Sequence, residues 1–274
     1  MDIKGKVIVV TGAASGIGRA LCERFVRESA SAVVVSDIDS VGMAETVALL
    51  GDDSEVMGVP CDVGNEESVN KLVQEVLKRF KKIDLFCANA GIFTAGGEEV
   101  SIEAWQKIWD VNVMSHVFAA RAVLPSMLDR GEGYLLNTSS AAGLLSQVGS
   151  APYSVTKHAA IGFAEWLSIT YGKRGIKVSA LCPQAVRTAM TAGSEGGGVA
   201  GLDGMLEPEQ LADSVVETLA EERFLVLPHP EVLTYMRRKT EDYDRWLGGM
   251  RRLHDRFEDA YKARAERDLS LIHI

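Results

Sequence analysis

Residues 6–18 read KVIVVTGAASGIG, from Lys6 to Gly18. After Lys6 come four apolar, β-branched residues, Val7 to Val10, too short a run for a helix, and they predict a strand over Lys6–Val10. Three glycines follow at 12, 16 and 18, and a helical pattern opens at once over Gly16–Ser29. In a strand–turn–helix unit these glycines have separate uses. Gly12 permits the turn, Gly16 lets the backbone approach a phosphate, and Gly18 allows the helix to pack closely on the strand. The helix N-terminus presents free N–H groups and a partial positive charge, which suit a pyrophosphate. Ser15 and Ile17 complete the loop, and Ser15 brings no positive charge.

The same alternation continues outward. Strands are expected at Ala32–Ser36, Val56–Val59, Ile83–Ala88, Gly133–Thr138, Lys177–Leu181 and Phe224–Leu227. Helices are expected at Val41–Leu50, Glu66–Phe80, Ile102–Asp129, Pro152–Tyr171 and Pro208–Ala220. The strands are almost continuously apolar, the pattern of a sheet covered on both faces. Strand–helix alternation of this kind predicts a doubly wound α/β domain: a parallel sheet of about seven strands, with right-handed crossovers and flanking helices. Residues 1–230 form the nucleotide-binding and catalytic domain on this reading, and residues 231–274 a helical extension of it. In the extension, Tyr243, Trp246, Leu247, Met250, Leu253, Phe257 and Tyr261 recur at helical spacing. They predict an amphipathic helix, broken or kinked near Gly248-Gly249, that packs on the domain, caps its pocket or contacts another subunit. Nothing is built on the apolar tail LSLIHI.

Bulk properties narrow the function. The chain has 274 residues, 47% of them hydrophobic, and a formal net charge of −9. An acidic chain without a basic block is a poor fit to nucleic acid or an anionic membrane. No apolar run approaches the roughly 20 residues that span a bilayer, and the N-terminus has no secretory leader pattern. Cys22, Cys61, Cys87 and Cys182 are scattered in apolar or helical contexts. They read as reduced thiols of a cytoplasmic protein, and no metal-ligand spacing is visible.

Ligands of doubly wound sheets bind beyond the carboxyl ends of the strands, so those ends carry the chemistry. Strand two ends at Ser36-Asp37. A carboxylate there can accept from both ribose hydroxyls and repels a 2′-phosphate, which favours NAD over NADP; Asp37 could instead be a plain loop residue, with Asp39 capping the next helix. Asp62 and Val63 end strand three, where Asp62 could meet an adenine amine or cap a helix, a role that suits Asn65 better. Strand four runs into Asn89-Ala90-Gly91, small residues beside an amide that either lets a cofactor lie close or ties strand ends together. Asn112 lies inside a predicted helix, where asparagine is poor, so it is either exposed or used. Strand five ends at Ser139-Ser140. Tyr153 and Lys157 follow, one turn apart on one helix face, where an ammonium beside a phenol lowers the phenol's pKa and readies it for proton transfer. Strand six ends at Cys182-Pro183, and a glycine-rich stretch, Gly193 to Gly204, reads as a mobile lid.

In this order and spacing, T-G-x-x-x-G-I-G over Thr11–Gly18, Asn89-Ala90-Gly91, Asn112, Ser140 and Tyr153-x-x-x-Lys157 resemble the short-chain dehydrogenase/reductase family, in its single-domain branch with a Rossmann-type fold. The resemblance covers roughly residues 4–230 and selects Ser140 over Ser139, thirteen residues before Tyr153. It implies a homodimer or homotetramer that moves a hydride between NAD(H) and a small secondary alcohol or ketone. Tyr153 would be the general acid/base. Lys157 would lower its pKa and hold the nicotinamide ribose, Ser140 would orient the substrate oxygen, and Asn112 would support a proton-relay water. Pro183, Val186 and Thr188 match the family's nicotinamide-side segment, and Asp62 and Val63 its adenine contacts. Gln184 departs from the glycine usual after that proline, which leaves the catalytic set intact and makes substrate identity less transferable. Two other readings stand beside this one: an NADPH-dependent carbonyl reductase, and an NAD-binding sensor or scaffold without turnover.

Overall fold

A computed structural model describes residues 1–51, 53–192 and 195–271. Seven strands form one sheet: β1 (Val7–Thr11), β2 (Ala32–Asp37), β3 (Glu55–Pro60), β4 (Leu85–Ala88), β5 (Gly133–Thr138), β6 (Ile176–Leu181) and β7 (Leu225–Val226). All neighbours are parallel, in the order β3-β2-β1-β4-β5-β6-β7. The doubly wound fold expected above is therefore the fold observed. The chain winds outward from β1 to β3, then crosses back to β4 on the other side of β1. That reversal leaves a crevice above the carboxyl ends of β1 and β4.

Alternate residues of each strand feed two cores. Val9 and Val34 share one with Leu72 and Val76 of α3 (Glu66–Phe80), Ala120 and Met127 of α5 (Ser115–Arg130), and Ala164 and Leu167 of α6 (Ala151–Tyr171). Ile8 and Val35 share the other with Leu21 and Phe25 of α1 (Gly16–Arg27) and Leu211 and Val215 of α7 (Pro208–Ala220). Burial on both faces is why the strand sequences are apolar throughout. The remaining elements are α2 (Ser40–Leu49), α4 (Ile102–Trp109), α8 (Glu231–Glu241) and α9 (Tyr243–Leu271).

Two expectations change. The long helix over Ile102–Asp129 is α4 and α5 joined by a π turn, Asp110–Met114. The whole run Ile102–Arg130 is long and apolar enough to cross a bilayer by length and composition alone, but 56% of its most apolar window is buried against the protein, as in a core helix. The C-terminal pattern breaks at Asp242, not at Gly248-Gly249. Asp242 adopts an extended conformation and accepts the backbone N–H of Arg245 at 3.0 Å, so it starts a new helix that continues through both glycines. The side chain of Tyr261 and the final residues 272–274 lie outside the described part, as does Gly193.

One buried carboxylate sets where the sheet begins. Asp84, 3% exposed, accepts the Val7 N–H at 2.9 Å and pairs with Lys82 at 2.8 Å. Its own N–H returns to the Val7 carbonyl at 2.9 Å. Replacement by alanine strands the buried Val7 N–H, whereas the exposed Lys82 ammonium returns to water, so Asp84→Ala is expected to cost about 1–3 kcal/mol in urea unfolding.

Candidate functional site

A cleft of about 960 Å³ runs over the carboxyl ends of the strands, from Asp37 and Asp62 past Gly12–Gly18 to Tyr153 and Lys157. Every residue that the sequence offered for catalysis or cofactor binding lines it except Asn112, which is fully buried behind it.

At one end, Gly12 has φ +66°, and a Cβ there would sit 2.7 Å from the Cα of Ala90. Gly18 packs against the same turn, with its missing Cβ 2.0 Å from the Gly12 carbonyl oxygen. Ser15, the N-cap of α1, makes no side-chain cap. The first-turn N–H groups of α1 therefore face the cleft without a side-chain partner among the described residues, as an anion site requires. The Asp37 carboxylate is oriented by the N–H of Ala14 at 2.9 Å and of Asp39 at 3.0 Å. The capping duties fall elsewhere: Asp39 caps α2 and Asn65 caps α3. Asp62 spends one oxygen on the Gly64 N–H at 3.0 Å and still lines the cleft. Asn89 ties strand ends together, one of the two roles its position allowed, and also lines the cleft. Its amide donates to the Thr11 carbonyl at 3.0 Å and accepts from the Thr138 hydroxyl at 3.1 Å, tying β1, β4 and β5 together beneath the cleft.

At the other end, Ser140, Tyr153 and Lys157 share one wall. Lys157 Nζ donates to the Thr138 carbonyl at 3.1 Å and lies 5.5 Å from the centre of the Tyr153 ring. Phe93 packs against that ring at a tilt of 50°, with centroids 5.1 Å apart. Asn112 is used rather than exposed. Its amide donates to the Ile92 carbonyl and accepts the Ile92 N–H, both at 2.9 Å, and reaches Thr156 at 3.3 Å. Asn112 Oδ1 and Lys157 Nζ each lie 3.3 Å from the spot where Gly91 would carry a Cβ, so both converge on one point. The π turn is what aims Asn112 there, as π turns often do at functional sites. Sequence reading missed Phe93, Ile92 and Thr156, whose side chain or backbone supports the pair, because none carries a chemical signature of its own.

The electrostatics reverse one expectation. Burial pushes the Tyr153 phenol above its ordinary value, opposed by a hydrogen bond with Ser140. The Lys157 ammonium is itself pushed down to about 8, because it too is buried. For each group the loss of water is the largest influence, and it disfavours the charged form. Behind them His116, also buried, is driven to about 3 by burial and then by Lys157, so it stays neutral.

The strand-six exit is clamped through one peptide unit. The Pro183 carbonyl accepts the Ala141 N–H at 2.8 Å and the Ser140 hydroxyl at 3.3 Å. The N–H on the other end of that unit, from Gln184, donates to His229 Nδ1 at 3.2 Å. The Gln184 side chain turns away to donate to Asp203 at 3.0 Å. The glycine-rich segment folds back over the cleft, where Gly197, Gly198 and Ala200 line it, and is pinned by Ala185 N–H to the Ala200 carbonyl at 3.0 Å.

Fold and cleft together define a class of protein: a doubly wound domain whose nucleotide-type crevice ends at a serine, tyrosine and lysine. The family description for short chain dehydrogenases matches residues 6–196. The chain belongs to the short-chain dehydrogenase/reductase family, oxidoreductases that act on alcohols and ketones with a nucleotide cofactor. It is 34% identical over 247 residues to 1-deoxy-11-β-hydroxypentalenate dehydrogenase of Streptomyces exfoliatus, covering 88% of this chain and 90% of that one. Human epidermal retinol dehydrogenase 2 is 32% identical over 241 residues, covering 86% and 77%. The crystal structure of a family member from Burkholderia phymatum in complex with NAD superposes with a TM-score of 0.82 at 32% identity, covering 89% of this chain and 96% of that one.

Two outcomes follow from this geometry. Lys157 has a folded pKa below its unfolded value of 10.5, so its charge destabilises the fold below about pH 8, and the penalty fades as pH rises toward 10.5. Lys157→Met should therefore raise stability at pH 7 by on the order of 2 kcal/mol while abolishing turnover, and the gain should shrink near pH 10; thermal melts at the two pH values measure it. His229→Leu should lower kcat by about 10–100-fold by freeing the Pro183–Gln184 peptide, whereas His229→Asn, which returns an acceptor near Nδ1, should recover most of it.

Proposed function

We propose that this protein is an NAD-dependent dehydrogenase that interconverts a secondary alcohol and a ketone, with Tyr153 as general acid/base. The observation that carries the reading is the single continuous cleft, with an oriented carboxylate at one end and the Ser140–Tyr153–Lys157 wall at the other. Gly12–Gly18 and the start of α1 would hold the pyrophosphate, Asp37 the adenosine ribose, and Asp62 and Val63 the adenine side. Ala90, Gly91, Pro183, Val186 and Thr188 would flank the nicotinamide. Several features favour NAD over NADP. Asp37 would repel a 2′-phosphate. The basic residues lining the cleft are Lys107 and Lys157, and Arg19 is spent on Thr46, Ala14 and Glu45.

When bound, the nicotinamide supplies or accepts the hydride. The protein's own work is proton transfer and positioning. Ser140 orients the substrate oxygen. Tyr153 takes the hydroxyl proton during oxidation and returns it to the carbonyl oxygen during reduction. Lys157 offsets the negative charge that develops on the phenol, and Asn112 supports the proton path from Lys157 outward. The site works on a small molecule, in the cytoplasm, and in a homodimer or homotetramer; Ile102, Trp166 and Ile169 on α4 and α6 are exposed apolar side chains suited to such contacts.

Following NADH fluorescence with cyclic, aliphatic and steroidal secondary alcohols tests the reading. Turnover with NAD well above that with NADP is expected, and turnover with NADP alone would overturn the cofactor assignment. Tyr153→Phe should lower kcat by about 10²–10⁴-fold while NAD still binds by calorimetry. Unaltered turnover in that variant would remove Tyr153 from its role.

A further inference from the structure

Beside the cleft lies a second cavity of about 720 Å³, and the two share Ser140, Gln147 and Gln184. Its near wall is apolar, with Ala141, Ala142 and Leu145. Its far wall comes from the C-terminal helices and carries Arg238, Arg245 and Arg252. Arg245 and Arg252 stand seven residues apart on α9, about 10 Å along one helix face. Several arginines elsewhere are paired with acids, Arg19 with Glu45, Arg24 with Glu28 and Arg187 with Glu207, although Arg174 and Arg237, which line neither cavity, are in no ion pair among the described residues. The three cavity arginines have no ion pair or side-chain hydrogen bond among the described residues.

The acids in the same cavity do not account for them. Asp203 is taken by Gln184 Nε2 at 3.0 Å and the Tyr235 hydroxyl at 2.8 Å. Asp242 caps α9. Glu241 is left, so three uncommitted guanidinium groups face one uncommitted carboxylate. A guanidinium is built to receive an oxyanion in a two-pronged hydrogen bond. The chain's net charge of −9 and Glu241 weigh against a dianion and favour a single negative charge.

We propose that the substrate is an amphipathic carboxylic acid: a secondary alcohol or ketone on an apolar body whose carboxylate rests on the arginines of α8 and α9. This deepens the dehydrogenase reading and rests on it. The reacting oxygen meets Ser140 and Tyr153, the body fills the second cavity, and the anion lies at the far wall. The redox step itself is unchanged. The carbinol C–H bond breaks with its hydride passing to the nicotinamide, the O–H proton passes to Tyr153, a C=O bond forms, and the carboxylate takes no part.

A series of (ω−1)-hydroxy fatty acids and their methyl esters tests the proposal, since it varies the distance between alcohol and anion at fixed chemistry. The acids should exceed their esters in kcat/KM by about tenfold or more at one preferred chain length, and added salt should erode the difference. In Arg245→Gln/Arg252→Gln the ratio of acid to ester should fall toward one; these side chains are exposed on a helix, and a matched thermal melt verifies folding. Equal use of acid and ester by the wild type, or a preference that survives in the variant, overturns the proposal. Calorimetric titration with decanoate separates the two claims. Binding to the wild type that weakens about tenfold in the variant supports the arginine wall even where no alcohol turns over, and absence of binding overturns it. Silence with acids and esters alike counts against the dehydrogenase reading instead.

Discussion

The site depends on keeping a lysine ammonium out of water. Lys157 is 3% exposed; it donates to a strand-end carbonyl and lies against an aromatic face, and Asn112 converges with it on one point beside Gly91. Each of those groups is fixed by a different element: Thr138 by β5, Tyr153 by α6, Asn112 by the π turn. Because a charge in such a place is expensive, its partners cannot wander. The geometry around it is correspondingly over-determined, with Asn89 locking the strand ends and Phe93 locking the ring. What the cost of burial secures is a group whose protonation responds to small changes nearby, the property that proton transfer needs.

The sheet supplies the space in which this happens. Reversal of winding between β1 and β4 parts the loops above them, and the close glycine contacts at 12 and 18 keep the floor of the crevice thin. The C-terminal helices close it from the side remote from the nucleotide end. Val232, Tyr235 and Trp246 pack on Ala141 and Leu145, so the extension is seated directly against the segment that follows Ser140.

Much of the fold and site was legible in the sequence because its signals are local. Continuous apolar runs mark strands covered on both faces, and glycines at fixed offsets mark the crevice floor. Asp37, Asn89, Ser140 and Tyr153 all stand at strand ends or helix starts, where polar residues have work to do. What was not legible depends on tertiary partners. The π turn sets Asn112 against both groups of the Ile92 backbone, an arrangement that no local pattern announces. The break at Asp242 won over Gly248-Gly249 because glycine weakens a helix by only about 1 kcal/mol, while an aspartate can start one. The direction of the Tyr153 shift was misread because proximity to Lys157 is visible in spacing, whereas the desolvation of both groups is not. The arginine wall escaped notice because in sequence its members look like the solvated face of an amphipathic helix.

The Pro183–Gln184 peptide unit joins parts of the protein that would otherwise vary separately. One end is fastened to Ser140 on the cleft wall, the other to His229, which stands between the last strand and the helices walling the second cavity. Pocket shape and chemistry are therefore not modular here. An insertion or deletion between β7 and α8 that altered which molecules fit would also tilt the peptide on which Ser140 rests. Divergence of substrate range in proteins built this way is expected to proceed by side-chain replacement along α8 and α9 rather than by changes in loop length, because the former leaves that shared joint alone.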